Sequence, residues 1–279
     1  MSVVCEVLAQ NGKVLEGKVI KSAILGKDVK YSIYLPADYD VSQRKYPVIY
    51  LLHGYSDDET AWVQFGSANT AADQLIKNGE INPVIIVMPY GRLDWYVNDY
   101  AGKTKWMDMF TKEMIPQIDA NYRTKANRDY RAISGLSMGG YGSLINCLYN
   151  PNLFSSCAAL SSGVWTEKEI VEDKEDNYDN PWWPKGSIGK ARLTENYYKY
   201  SVIEQMSKMP LDSIKKVRWY IDCGDKDFLA IGNAQLHIVM RERNINHEYR
   251  VRAGWHNWDY WRTGIYDALK FICQGFDRR

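Results

Sequence analysis

Gly135-Leu136-Ser137-Met138-Gly139-Gly140 follows an apolar run, 130–134, and precedes a helix-like run, 141–149. A Gly-x-Ser-x-Gly stretch between strand and helix has the form of a nucleophile elbow. Its serine is forced into a strained backbone conformation, and only residues without bulk pack where Gly135 and Gly139 stand. Ser137 Oγ would then project from the top of a sheet. The following helix would aim unpaired N–H groups, and the positive end of its dipole, at the place where an oxyanion forms. Such a turn is suited to attack on a carbonyl. The competing reading is a Gly-rich loop with Ser137 as a helix N-cap, so the rest of the chain has to decide.

A serine hydroxyl is a weak nucleophile and needs a histidine base and an orienting carboxylate, supplied after the elbow in the order Ser, Asp or Glu, His. Four histidines are available. His53 precedes the elbow, directly after the apolar run 48–52, and is expected to be structural. His237 falls in a helical stretch, 233–243, and His247 opens a short strand, so both read as packing or surface residues. His256, in Gly254-Trp255-His256-Asn257-Trp258, lies between the last expected strand and the last helix, where a loop reaches the elbow's edge of the sheet. The carboxylate is sought at the end of the strand 217–221, in Asp222-Cys223-Gly224-Asp225-Lys226-Asp227. Asp227 is assigned, three residues after Gly224, with Asp225 as runner-up and Asp222 left to the strand. A calcium loop would need the twelve-residue ligand pattern and terminal glutamate that this cluster lacks. A second oxyanion donor is expected from His53-Gly54-Tyr55, so the Tyr55 and Met138 amides would bracket the carbonyl oxygen.

Leu51-Leu52-His53-Gly54, Gly135-Leu136-Ser137-Met138-Gly139-Gly140-Tyr141-Gly142, Asn150-Pro151-Asn152-Leu153-Phe154 and His256-Asn257-Trp258-Asp259-Tyr260-Trp261 together resemble the esterase D group of α/β-hydrolases. That group includes feruloyl and acetylxylan esterases of carbohydrate esterase family one, tributyrin-type esterases, S-formylglutathione hydrolases and mycolyltransferases. The resemblance runs from about residue 29 to 271. It implies an α/β-hydrolase fold and a Ser-His-Asp carboxylic ester hydrolase without cofactor. Tyr141 stands where S-formylglutathione hydrolases usually carry histidine, and Asn257-Trp258-Asp259 replaces their Ser-Tyr-Tyr, so the plant cell-wall esterases fit best. S-formylglutathione hydrolase or a general short-chain esterase is the alternative within enzymes. A carbohydrate-binding protein that has lost turnover is the alternative outside them.

Strands are expected near 14–20, 29–35, 48–52, 84–88, 130–134, 156–161, 217–221 and 248–251. Helices are expected near 68–77, 104–120, 138–149, 202–209, 232–243 and 260–273. This alternation predicts a mostly parallel sheet flanked by helices, with antiparallel strands at its start, and an active site at the strands' carboxyl ends. The interval 163–200 interrupts the pattern with an acidic run, 172–176, and Trp182-Trp183 between prolines. It reads as a lid-like insertion whose indoles meet substrate, or as an excursion whose indoles pack on the domain. With 10 Trp and 21 Tyr, the chain offers flat stacking surfaces in its expected top-face loops at Trp62, Trp95, Tyr96, Tyr100, Trp165 and Trp258. Trp95 and Trp165 lead as substrate-binding residues, because they follow strands that adjoin the elbow strand in chain order.

The 279 residues, 46% of them hydrophobic, suffice for one domain with a large core. Net charge +1, without a Lys/Arg stripe, points away from nucleic acid and anionic membranes as partners and favours neutral substrates, and the resemblance implies a small-molecule or polysaccharide ester. No apolar run has the length of about 18 residues that reads as a membrane span. Five cysteines, Cys5, Cys147, Cys157, Cys223 and Cys273, show no metal-ligand spacing, so neither a zinc site nor a disulfide framework is expected. Secretion or periplasmic export is the expected location, drawn chiefly from the resemblance, with the cytoplasm as alternative.

Overall fold

Residues 48–52 read Val-Ile-Tyr-Leu-Leu, and all five are buried. A strand with both faces covered has no need of polar alternation, and the runs Ile85–Pro89 and Ser156–Leu160 are buried throughout in the same way. The computed structural model describes residues 11–174 and 180–277. Its strands are β1 (Lys13–Ser22), β2 (Lys27–Leu35), β3 (Val48–Leu52), β4 (Ile85–Pro89), β5 (Arg131–Leu136), β6 (Ser156–Leu160), β7 (Arg218–Gly224) and β8 (His247–Arg252). They form an eight-stranded sheet in the order β1-β2-β4-β3-β5-β6-β7-β8. β1–β2 and β2–β4 pair antiparallel, and every pairing from β4 onward is parallel. This is the α/β-hydrolase fold expected from the sequence. The edge strand β8, His-Glu-Tyr-Arg-Val-Arg, is only partly covered, and its charges discourage pairing with another chain.

The two-residue period of the strands divides the core in two. Val48, Tyr50 and Leu52 face one cluster, which includes Met138, Leu144, Trp219 and Leu236. Ile49 and Leu51 face the other, which includes Ala71, Leu75, Ile265 and Leu269. Helices Ala68–Lys77 and Trp258–Asp277 therefore cover one side, while Met138–Tyr149, Val202–Lys208 and Ala230–Glu242 cover the other. The helix expected over 104–120 is interrupted by a π turn, Phe110–Met114. Pro116 follows this turn and has no N–H for the carbonyl four residues back, so the ladder widens where a donor is missing. Among the described residues no helix is long and apolar enough to cross a membrane. Cys147, Cys157, Cys223 and Cys273 are buried free thiols, whereas Cys5 lies outside the described residues.

The interval 163–200 holds the short helices Glu167–Glu172, started by a Thr166/Glu169 capping box, and Glu195–Tyr200. Trp182 and Trp183 point inward and are buried. Trp182 Nε1 donates to Tyr141 Oη at 3.0 Å, and its ring lies 4.9 Å from Trp95. Of the two readings of this insertion, packing on the domain therefore describes its tryptophan pair, because each indole gains more by burial than by lying over a wet cleft. The acidic run lies partly outside the described residues.

Candidate active site

β5 ends at Leu136, the helix Met138–Tyr149 begins one residue later, and Ser137 makes the turn between them at φ 53°, ψ −118°. Such a conformation costs a non-glycine residue about 1–3 kcal/mol and persists only where its surroundings enforce it. Here the Ser137 N–H donates to Leu160 O at 2.9 Å, and Ser137 O accepts from the Gly163 N–H at 2.8 Å, so the end of β6 grips the turn on both sides. The two elbow glycines are needed for space. A Cβ on Gly139 would lie 2.4 Å from Leu52 O and 2.6 Å from His53 O, and one on Gly135 would lie 2.5 Å from Gly139 O. Met138 heads the helix, where an N–H has no intrahelical acceptor and the helix dipole is positive.

Ser137 Oγ lies 2.9 Å from His256 Nε2, and His256 Nδ1 lies 2.9 and 3.0 Å from the two Asp227 oxygens. A carboxylate only accepts, so the imidazole carries its proton on Nδ1 and Nε2 is left to accept from the serine. Burial pulls the Asp227 pKa upward. Hydrogen bonds and charge attraction from His256, with the Leu229 N–H at 2.9 Å and the Ser161 hydroxyl, outweigh that effect and hold the carboxyl below its usual range. Asp225, the runner-up, is placed elsewhere: it accepts the Gly254 N–H at 2.9 Å and so pins the loop that carries His256. Asp222 belongs to β7 and is buried against Arg252, Tyr220 and Tyr260. Trp261 stands perpendicular to the His256 ring at 4.8 Å and donates to Ser161 Oγ at 3.0 Å, while Phe228 lies 4.5 Å away on another side.

These residues open on a cavity of about 320 Å³ lined by Tyr55, Trp95, Trp165, Phe228, Trp258 and Trp261, together with Gly54, Asp57 and the Ser–His pair. The Gly54-Tyr55 turn adjoins the nucleophile, since the point a Cβ on Gly54 would occupy is 3.7 Å from Ser137 Cβ. Of the two residues whose amides the sequence reading assigns to the oxyanion, Met138 follows Ser137 directly and Tyr55 lines the same cavity. His53 braces this turn. Its Nδ1–H donates to Gly54 O at 2.7 Å, its Nε2 accepts the Gly91 N–H at 2.8 Å, and burial lowers its pKa to about 4, keeping the ring neutral.

Trp95 and Trp165 both line the cavity and meet each other at 5.5 Å, with Trp182 and Tyr141 packed behind Trp95. The other top-face aromatics divide. Trp258 lines the cavity, Trp62 and Tyr96 are buried in the core, and Tyr100 is exposed without lining the site. Sequence reasoning missed Phe228, Trp261, Asp57 and Ser161. Phe228 could have been found from its place next to Asp227, but the others come to the site only through tertiary packing. Burial, the largest influence, raises the Asp57 pKa, although a Gly54 hydrogen bond opposes it. His237 and His247 bond to each other at 2.8 Å and take no part in this site.

A family model described as a putative esterase matches residues 22–272. An endo-1,4-beta-xylanase/feruloyl esterase of Xylanibacter ruminicola is 37% identical over 160 residues, 55% of this chain and 22% of that protein. The chain thus spans about a fifth of that relative's length. An acetyl esterase of Caldicellulosiruptor saccharolyticus is 27% identical over 267 residues, covering 92% of this chain and 97% of the relative. A solved ferulic acid esterase superposes with a TM-score of 0.83 at 29% identity, covering 96% of this chain and 99% of that one. With its sheet order, its strained serine elbow and a family match over most of its length, the chain belongs to the putative esterase family.

Proposed function

We propose that this chain is a serine carboxylic ester hydrolase that removes feruloyl or acetyl groups from plant cell-wall polysaccharide, with Ser137, His256 and Asp227 as its catalytic residues. The observation that carries the proposal is the continuous hydrogen-bonded chain Ser137–His256–Asp227 opening on an aromatic-walled cavity. The names of the relatives, feruloyl esterase and acetyl esterase, support the substrate class.

In the first half-reaction His256 Nε2 takes the Ser137 proton as Oγ attacks the ester carbonyl. The Tyr55 and Met138 amides hold the oxyanion, each contributing about 3 kcal/mol to the transition state. Collapse expels the alcohol, which receives the proton from His256. Water then enters and gives a proton to the same nitrogen as its oxygen attacks the acyl carbon. The bond to Ser137 Oγ breaks, and His256 returns the proton to Oγ as the acid leaves. Asp227 keeps the imidazole in the tautomer both halves require and stabilises its transient positive charge. Residues 1–279 act as one catalytic unit, in which the 163–200 insertion supports the cavity wall through Trp182.

The test is a parallel assay of methyl ferulate, acetylated xylan and p-nitrophenyl acetate, with Ser137→Ala as blank. Ferulate turnover above the blank assigns the aromatic cavity to the acyl group. Turnover of acetyl esters alone assigns it to the sugar, and p-nitrophenyl acetate alone marks a general short-chain esterase. Rates equal to the blank on all three would refute the enzyme reading in favour of a carbohydrate-binding protein.

A further inference from the structure

We propose that Trp255, on the loop that carries His256, together with Phe228 against the His256 ring, forms a sugar-stacking platform that holds the carbohydrate chain on the leaving-alcohol side of the ester. The proposal deepens the esterase reading and rests on it.

Of the ten tryptophans in the sequence, nine are buried or half-buried, and Trp255 alone is exposed, at 61%. An indole left in water forgoes the burial that the other nine obtain. It is also carried on a pinned loop. Next to it, Gly254 donates to Asp225 Oδ1 at 2.9 Å and accepts the Lys226 N–H at 3.0 Å, and Trp255 O accepts the Asn257 N–H at 2.9 Å. The Lys226 ammonium lies 5.7 Å from the indole centre.

The position follows from the chemistry. His256 must hand its proton to the departing alcohol, so the alcohol leaves past His256. Phe228, 59% exposed, lies 4.5 Å from the His256 ring and lines the cavity, and Trp255 is the residue before His256. Phe228 is thus an exposed ring against His256 at the cavity, and Trp255 is an exposed ring on the loop that carries His256, whereas Trp95 belongs to a buried aromatic cluster. A pyranose or furanose ring has an apolar C–H face for the indole and hydroxyls for the Lys226 ammonium. A protein partner would need roughly 800 Å² of matched surface, far more than two rings supply.

The test uses Ser137→Ala protein, which reads binding without turnover, in native gels cast with and without soluble feruloylated arabinoxylan. The polymer should retard Ser137→Ala, and adding Trp255→Ala should remove most of that retardation, while Trp255→Phe keeps part of it. In the active enzyme, Trp255→Ala should raise KM for the polymer roughly two- to tenfold relative to KM for methyl ferulate, with kcat on the polymer little changed. Unaltered mobility and an unaltered KM ratio would overturn the platform. A fall in kcat on both substrates would overturn it too, marking Trp255 as a positioning residue for His256. Failure of the esterase reading shows separately, as rates on methyl ferulate, acetylated xylan and p-nitrophenyl acetate all no higher than those of Ser137→Ala.

Discussion

Replacing Asp227 by Asn keeps the shape of a fully buried side chain and removes only its charge and one acceptor oxygen. In the wild type both carboxylate oxygens face His256 Nδ1, and Oδ1 also accepts the Leu229 N–H. An Asn oxygen that stays with the Leu229 amide turns its NH₂ toward Nδ1, where two donors would meet. The imidazole escapes by moving its proton to Nε2, and Nε2 then cannot accept from Ser137. The loss expected of such a tautomer error is on the order of 10⁴ in kcat, or roughly 5.5 kcal/mol of barrier. The assay is kcat for p-nitrophenyl acetate, with thermal unfolding recorded on the same protein. A folded Asp227→Asn enzyme that loses less than tenfold would refute the reasoning, because the carboxylate would then not be what orients His256.

Other perturbations reach the frame around the site. His53 is neutral in the fold with a pKa of about 4, against the ordinary imidazole value of 6.5, so the unfolded chain binds more protons between those values. Stability should therefore fall by about 3 kcal/mol as pH drops from 6.5 to 4, and thermal melts should show a flatter slope over that window for His53→Gln. Gly139→Ala would set a methyl 2.4 Å from a backbone oxygen of β3, and soluble yield and Tm should both fall, with a loss of at least about 3 kcal/mol. Trp182→Ala removes the ring packed between Trp95 and Tyr141 and should cost about 3–5 kcal/mol by denaturant titration, with KM for ferulate rising as Trp95 loses its backing.

The strands were legible because most of them are buried on both faces and so appear as short apolar runs between turn residues. All eight expected strands lie within a few residues of the observed ones. The elbow was legible because its glycines answer to backbone contacts only two to three ångströms away, which no other residue tolerates. His256 and Asp227 followed from chain order and strand-end position. What escaped depends on the third dimension. The short helices Glu195–Tyr200 and Leu211–Ile214 are too brief for a periodic signal, and they are held by packing instead. The inward turn of Trp182 depends on Tyr141 and Trp95, 41 and 87 positions earlier in the chain. Likewise, no local pattern announces that Ser161 would link Trp261 to the Asp227 side of the triad.

The central claim is that Ser137 is a nucleophile activated by His256, and the most direct measurement is covalent labelling by a fluorophosphonate, followed by intact mass and peptide mapping. The account predicts one adduct, on Ser137, absent in Ser137→Ala and formed at least about a thousandfold more slowly in His256→Ala. An adduct on another residue, or labelling of His256→Ala at the wild-type rate, would contradict it.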